Sequence, residues 1–228
     1  MTFAVLASDG GGRFGMAVSS SSPAVGARCI HLRPGVGGAA SQSITDPRLG
    51  TRLLDAVADL GDAAAALEKV RADTPDVEYR QLMVVDGAGR TASFSGAHTL
   101  GVHATASGPS GPSVVAGAGV VAGGNLLASD GVPAAMVAAF TGATGELEQR
   151  LVTALATGLA AGGEAGPVRS AGLAVVADRV VVPVHPQVGD PLGELARLVE
   201  VWLPQRDDYV SRGLAPGSAP SYGVPGDE

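Results

Sequence analysis

The order of strand-like and helix-like segments constrains the fold of this chain most. Short apolar segments between Gly-rich turns predict strands, whereas apolar residues spaced three and four apart predict helices. The predicted order is four strands, two helices, four strands, two helices, two strands and one helix. Strands that follow one another across short turns form antiparallel sheet, while a parallel βαβ fold needs strands and helices to alternate. Because strands and helices come in groups here and do not alternate, the predicted order argues against a parallel sheet.

The boundaries follow from turn and capping residues. The predicted strands are Thr2–Ser8, Gly15–Ser20, Arg28–Leu32, Gly37–Ile44, Gln81–Val85, Thr91–Ser95, Leu100–Ala104, Ser113–Val121, Ala171–Val176 and Val180–Val184. The predicted helices are Leu49–Leu60, a second one capped by Asp62 and ending at Ala72, Val132–Phe140, Glu146–Ala161 and Pro191–Leu203. Unbroken apolar runs such as VVAGAGVV indicate strands that are buried on both faces. We therefore expect an α+β fold, a four-layer αββα sandwich of two antiparallel sheets flanked by helix pairs.

The amino-acid composition argues against several classes of function. Lys and Arg total 15 against 22 Asp and Glu, a net charge of −7, which argues against nucleic-acid and anionic-membrane partners. A single cysteine, Cys29, excludes an internal disulfide. The N-terminal residues lack the pattern of a signal peptide, and no apolar run is long enough to cross a membrane, so we expect a cytoplasmic protein.

Domain organisation and cofactors are also predicted. We expect a single domain over residues 1–212 and a flexible Gly/Pro/Ser-rich tail over 213–228. The histidines lack metal-ligand spacing, so neither a metal nor another cofactor is expected. His185 fits both a loop position near a site and a structural role. Faces rich in small residues suit close packing and allow a homodimer.

Thr2 is the most informative residue. Methionine is normally removed before a small side chain, which would leave Thr2 with both a hydroxyl nucleophile and a free α-amine. The pKa of an α-amine is about 7.7–8.0, so a neutral fraction can accept the hydroxyl proton without a histidine. The first hairpin turns near Gly11, so residues paired across it sum to about 22 and Thr2 lies opposite Ser20. An ordinary threonine at the start of a strand fits the same local sequence.

Several stretches resemble the N-terminal-nucleophile hydrolase superfamily and, within it, the family labelled domain of unknown function ten-twenty-eight. They are TFAVLA at 2–7, GMAVSSSSPAVGA at 15–27, SQSITDPRLG at 41–50, RQLMVVDGAGR at 80–90, GGNLLAS at 123–129, RSAGLAVV at 169–176 and His-Pro at 185–186. The resemblance implies the αββα sandwich and hydrolysis of a small-molecule amide with Thr2 as nucleophile.

The resemblance also assigns roles to other residues. Asn125, in the Gly-Gly-Asn turn, matches a family asparagine suited to donating to an oxyanion, although a capping or turn role fits as well. Gln42 and Thr45 match a family glutamine and threonine near the nucleophile. The family's Gly-Gly-Asp loop reads Gly-Gly-Glu at 162–164, and Arg169 stands where the family has glutamine.

The sequence thus predicts an amidohydrolase. Thr2, Ser20 and Asn125 form its catalytic set, while Gln42, Thr45 and Arg169 bind the substrate. Two other functions fit the same residues: a non-catalytic protein that binds a small metabolite or assembles with a partner, and a cyclohydrolase-type enzyme that does not use its N-terminal residue.

Overall fold

The computed structural model describes residues 2–109, 117–177, 180–181, 190–208, 211 and 220. Its strands are β1 (Thr2–Asp9), β2 (Phe14–Ser20), β3 (Ile30–Arg33), β4 (Gly37–Ser43), β5 (Arg80–Asp86), β6 (Thr91–Ser95), β7 (Ala104–Gly108), β8 (Ala118–Asn125), β9 (Ser170–Ala177) and β10 (Val180–Val181). Its α-helices are α1 (Val25–Cys29), α2 (Arg48–Leu60), α3 (Ala63–Ala72), α4 (Val132–Gly142), α5 (Leu147–Ala160) and α6 (Pro191–Trp202).

The strands form two antiparallel sheets. The larger has six strands in the order β10-β9-β2-β1-β8-β7, and the smaller has four in the order β3-β4-β5-β6. Buried apolar residues of β1, β2 and β8 pack between the sheets against residues of β4 and β5. Helices α4, α5 and α6 cover the outer face of the six-stranded sheet, and α2 and α3 cover the outer face of the other. This arrangement confirms the predicted four-layer αββα sandwich.

Alternation along β1 determines which way its polar first residue faces. Phe3 and Val5 pack toward the helices, whereas Ala4 and Leu6 pack into the layer between the sheets. Successive side chains of a strand point to opposite faces, so Thr2 shares the face of Ala4 and Leu6. The Thr2 side chain therefore points between the two sheets.

A buried aspartate joins the smaller sheet to its helices. Asp86, 1% exposed, ends β5 and accepts hydrogen bonds from the backbone of Ala88 and Arg90 in the β5–β6 turn. Its other oxygen accepts from the Ala63 backbone at 3.0 Å and from the Arg90 guanidinium at 2.8 Å. One side chain thus holds the hairpin turn against the first turn of α3.

Most predicted elements lie where the sequence places them. The predicted cap of the second helix is confirmed, because the Asp62 carboxylate accepts from the Ala65 backbone at 2.9 Å. The start of the strand predicted at Arg28 is wrong, since the short helix α1 ends at Cys29 and β3 begins only at Ile30. The buried Val25 and Cys29 of α1 pack between the sheets, a tertiary contact that overrides local strand propensity.

The strand predicted at Leu100–Ala104 is also wrong. Gly101 adopts a left-handed conformation, with a φ of 58°, that departs from regular strand geometry, and β7 begins only at Ala104. The strand predicted at Ser113–Val121 is shifted: β8 runs from Ala118 to Asn125, and residues 113–116 lie outside the described residues. Residues 182–184 of the last predicted strand, His185 and the tail, apart from residue 220, also lie outside them.

Candidate functional site

Four polar residues form a row across neighbouring strands at one end of the six-stranded sheet. Thr2 lies directly opposite Ser20 on one side and Asn125 on the other, and Ser20 lies opposite Ser170. All four are buried, and Thr2 retains an exposed fraction of 7%. The predicted pairing of Thr2 with Ser20 is confirmed. A buried polar row at strand ends is a candidate site because apolar residues normally fill such positions.

The hydroxyl groups of Thr2 and Ser20 are in hydrogen-bonding contact. Their oxygens lie 3.2 Å apart, and either can be the donor. Ser20 Oγ also accepts from the Ser22 backbone at 3.0 Å, which fixes the position of this oxygen. Ser20 therefore lies where it can accept or relay the proton of the Thr2 hydroxyl.

The four-stranded sheet contributes two glutamines to the same end of the sandwich. Gln81 Nε2 donates to the Gly124 carbonyl at 3.0 Å and to Ser95 Oγ at 2.9 Å. Gln81 Oε1 accepts from Gln42 Nε2 at 2.8 Å and from Asn125 Nδ2 at 3.3 Å. Gln81 thus links Asn125 of one sheet to Gln42 of the other.

This network sets the orientation of all three amides. The Gly124 carbonyl can only accept, so the nitrogen of Gln81 must face it and the oxygen of Gln81 must face Gln42 and Asn125. Gln42 and Asn125 then present their nitrogens to Gln81, which leaves Gln42 Oε1 and Asn125 Oδ1 buried and without a partner among the described residues. Unpaired buried acceptors of this kind typically mark a place for water or a ligand.

The ends of two of these strands have strained backbone. Ser43, directly after Gln42, and Leu126, directly after Asn125, have positive φ angles of 72° and 50°. Leu126 is held there by a bond from its amide to the Leu100 carbonyl and by one from the Ala165 amide to its own carbonyl, each 2.8 Å. Non-glycine residues in this conformation cluster at functional sites, where the surrounding structure sustains the strain.

The structure places Ser20 and Asn125 beside Thr2 and links Gln42 to Asn125 through Gln81, whereas the other two predicted residues lie outside this hydrogen-bond network. Thr45 lies in the loop after β4, where it contacts the Cys29 thiol. Arg169 donates its backbone N–H to the Ser20 carbonyl at 3.0 Å, while its side chain is exposed. Neither side chain has a hydrogen bond to the polar cluster among the described residues. Asn125 is also not in a turn as predicted, because β8 continues through Gly123 and Gly124 to Asn125.

Sequence reasoning missed two residues of this region, Gln81 and Glu164. Gln81 shares the face of Met83 and Val85, so strand alternation could have identified it as pointing inward. Glu164 follows the left-handed Gly162 and Gly163 and is only 5% exposed. Nothing in the local sequence predicts that burial.

The Glu164 carboxylate is electrostatically unusual. Burial raises the pKa of Glu164 to about 7, although the positive amino terminus and the neighbouring Ser21 lower it in part. Neither carboxylate oxygen has a well-aligned hydrogen-bond partner among the described residues. A buried carboxyl group of this kind titrates near neutral pH, which is a property typical of functional sites.

The part of the chain that the structure describes offers neither a cluster of metal ligands nor a membrane-spanning helix. No three His, Cys, Asp or Glu side chains lie close enough together to hold a metal ion in that part of the chain. Across the same residues, no helix combines the length and the apolar character needed to span a bilayer.

The fold and the polar cluster define a class of protein: a four-layer α+β sandwich with buried polar side chains at the ends of its central strands. The chain belongs to the family of unknown function DUF1028, whose family model matches residues 2–195. A similar solved structure is a Silicibacter pomeroyi protein assigned to the same family, with 27% identity, 88% coverage of each chain and a TM-score of 0.76. No curated protein matches the chain.

Proposed function

We propose that the protein is an amidohydrolase of the N-terminal-nucleophile type that acts on a small-molecule amide. One observation carries the proposal: the Thr2 hydroxyl, at the start of a central strand, is buried and lies 3.2 Å from Ser20 Oγ. A hydroxyl nucleophile needs a base, and a Thr2 freed at its amino end carries one on the same residue. The proposal therefore requires that the chain before Thr2 be removed.

Thr2 itself supplies the nucleophile, the base and the acid of the proposed reaction. The neutral α-amine takes the hydroxyl proton, directly or through the Ser20 hydroxyl, as Oγ1 bonds to the amide carbonyl carbon. The tetrahedral intermediate breaks its C–N bond, and the leaving nitrogen takes the proton from the ammonium. Water then attacks the resulting ester of Thr2; the amine accepts a proton from this water and returns it to Oγ1, which releases the carboxylic acid.

Asn125 is suited to stabilise the oxyanion. One hydrogen of its Nδ2 is directed to Gln81 Oε1, and the second remains for the negative oxygen of the tetrahedral intermediate. Gln81 and Gln42 hold this amide in place, so both are positioning residues. The expectation that Thr45 and Arg169 contact substrate stays a prediction.

Two measurements test the proposal. Intact mass of protein made without an N-terminal tag is expected to match a chain that begins at Thr2. Hydrolysis of a panel of small carboxamides and N-acyl amines is then compared among the wild type, Thr2→Ser and Thr2→Ala. Serine keeps both hydroxyl and amine and should retain turnover, whereas alanine should reduce it by at least about 10³-fold.

Other results would redirect the assignment. A mass that retains Met1 contradicts the autonomous nucleophile. Turnover that survives in Thr2→Ala favours a cyclohydrolase-type site that does not use Thr2. Binding of a metabolite with no turnover in any variant favours the non-catalytic function.

A further inference from the structure

Glu164 lies beyond the start of β1, between the continuations of both neighbouring strands. On one side, its backbone forms a bridge with Leu127, two residues after the Thr2 partner Asn125. On the other side, it contacts Ser21, the residue after the second Thr2 partner, Ser20. Since β1 runs between these two strands, Glu164 stands ahead of the amino end of Thr2.

The carboxylate of Glu164 needs a partner in this position. It is 5% exposed, and neither oxygen has a well-aligned partner among the described residues. Ser21 offers this carboxylate only uncharged donors, which do not neutralise a buried charge, and a nearby positive charge is the usual compensation. The positive charge ahead of Thr2, which the unprocessed chain carries at Met1, is among the groups that lower the pKa of Glu164, whereas the exposed Arg169 side chain is not.

We propose that Glu164 is a positioning residue that holds the α-amine of Thr2 by a charge-assisted hydrogen bond. This inference rests on the proposed function, because it gives the base of that reaction a fixed location. The carboxylate accepts one N–H of the ammonium form and orients the lone pair of the neutral form toward the Thr2 hydroxyl. No covalent step involves Glu164.

Among the described residues, the Cys29 thiol is another titratable group near the amino end of the chain. The Cys29 thiol, which also senses the charge of the amino terminus, has a pKa raised by burial to about 11 and stays neutral. The Ser20, Ser21 and Thr2 hydroxyls carry no charge near neutral pH. A change in the pKa of the α-amine on substitution of Glu164 therefore reports on that carboxylate.

The composition of the chain permits a direct measurement. Lys69 is the only lysine, so a chain that begins at Thr2 contains two primary amines. We would prepare such a chain by cleaving an N-terminal fusion directly before Thr2, so that the result does not depend on methionine removal. Reductive methylation with ¹³C-formaldehyde then yields two amine signals whose pH titrations can be followed by NMR.

The comparison uses the wild type, Glu164→Gln, Glu164→Asp and, as a control, Glu200→Gln at an exposed glutamate. Loss of a nearby negative charge should lower the pKa of the Thr2 α-amine by about 1 or more in Glu164→Gln. Glu164→Asp keeps the charge and should stay closer to the wild type, and Glu200→Gln should match it. The Lys69 signal, on exposed α3, should not change in any variant.

An α-amine pKa that is the same in folded Glu164→Gln and in the wild type would overturn the inference. The proposed function would be unaffected by that result, because intact mass and the Thr2 variants test it separately. A shifted pKa of the α-amine together with no amide turnover would support the contact between Glu164 and Thr2 and would contradict only the proposed function.

Discussion

The side-chain oxygens of Thr2 and Ser20 lie 3.2 Å apart at the paired ends of β1 and β2, inside the layer between the two sheets. The contact follows from antiparallel pairing, because directly opposite residues place their side chains on the same face. Most buried positions on this face are apolar, so two adjacent hydroxyls there are exceptional. This pair provides the most direct test of the site.

Replacing Ser20 with alanine should reduce amide turnover by about 10–100-fold, because the Thr2 hydroxyl loses its neighbour for proton transfer. The free energy of unfolding should fall by only about 1 kcal/mol, since the Ser22 N–H loses one acceptor. Kinetics combined with urea denaturation would measure both effects. Ser19→Ala is the matched control, because Ser19 is equally buried but on the opposite face of the same strand; an equal loss of turnover there would argue against a specific role for Ser20.

Replacing Gln81 with methionine should destabilise the fold by about 2–4 kcal/mol. The change removes the donor to the Gly124 carbonyl and the shared acceptor of Gln42 and Asn125, all of which are buried. Turnover should fall as well, since the Asn125 amide loses its anchor. Thermal and chemical denaturation would measure the stability, with Gln205→Met at an exposed position as the control. A change below about 1 kcal/mol would mean that water replaces Gln81 without cost.

Asp86→Ala should lower the free energy of unfolding by about 3 kcal/mol, because three backbone N–H groups and the Arg90 guanidinium lose a buried acceptor. Asp55, an exposed aspartate paired with Arg33, is the control, and Asp55→Ala should change stability by less than about 0.5 kcal/mol. Urea denaturation at neutral pH would compare the two. Equal effects would contradict a structural role for Asp86.

Stability should depend on pH through Glu164. Its pKa is raised from 4.5 to about 7 by burial, so the folded chain retains a proton that the unfolded chain has already lost in this range. Glu164 therefore contributes up to about 3 kcal/mol to the free energy of unfolding. This contribution is fully present below about pH 4.5 and is lost as the pH rises through 7. Denaturation of the wild type and of Glu164→Gln at several pH values would measure it. The prediction would be contradicted if the free energy of unfolding depended on pH in the same way in both proteins.

The sequence by itself determined the order of the strands and of helices α2 to α6, the antiparallel pairing and the hairpin register that sets Thr2 opposite Ser20. These features depend on local signals: turn glycines, the Asp62 cap and the period of the apolar residues. Local signals failed where a buried contact competed with them, as at Val25 and Cys29 of α1, and where β8 extends through two glycines that resemble a turn. A Cβ on Gly123 would approach Met83 Sδ to 2.9 Å, so the glycine there serves the packing between sheets.

Only the tertiary structure decided which polar residues meet. Gln81 and Gln42 reach Asn125 because two sheets stack face to face, and no spacing in the sequence encodes that stacking. Glu164 lies beyond the end of β8 because its loop pairs with the residues that follow that strand. Hydrogen bonds and charge effects act over a few ångströms in space, whereas these residues lie far apart along the chain. For that reason the sequence predicted the pairing of Thr2 with Ser20 on the adjacent strand, and the fold supplied the rest of the cluster.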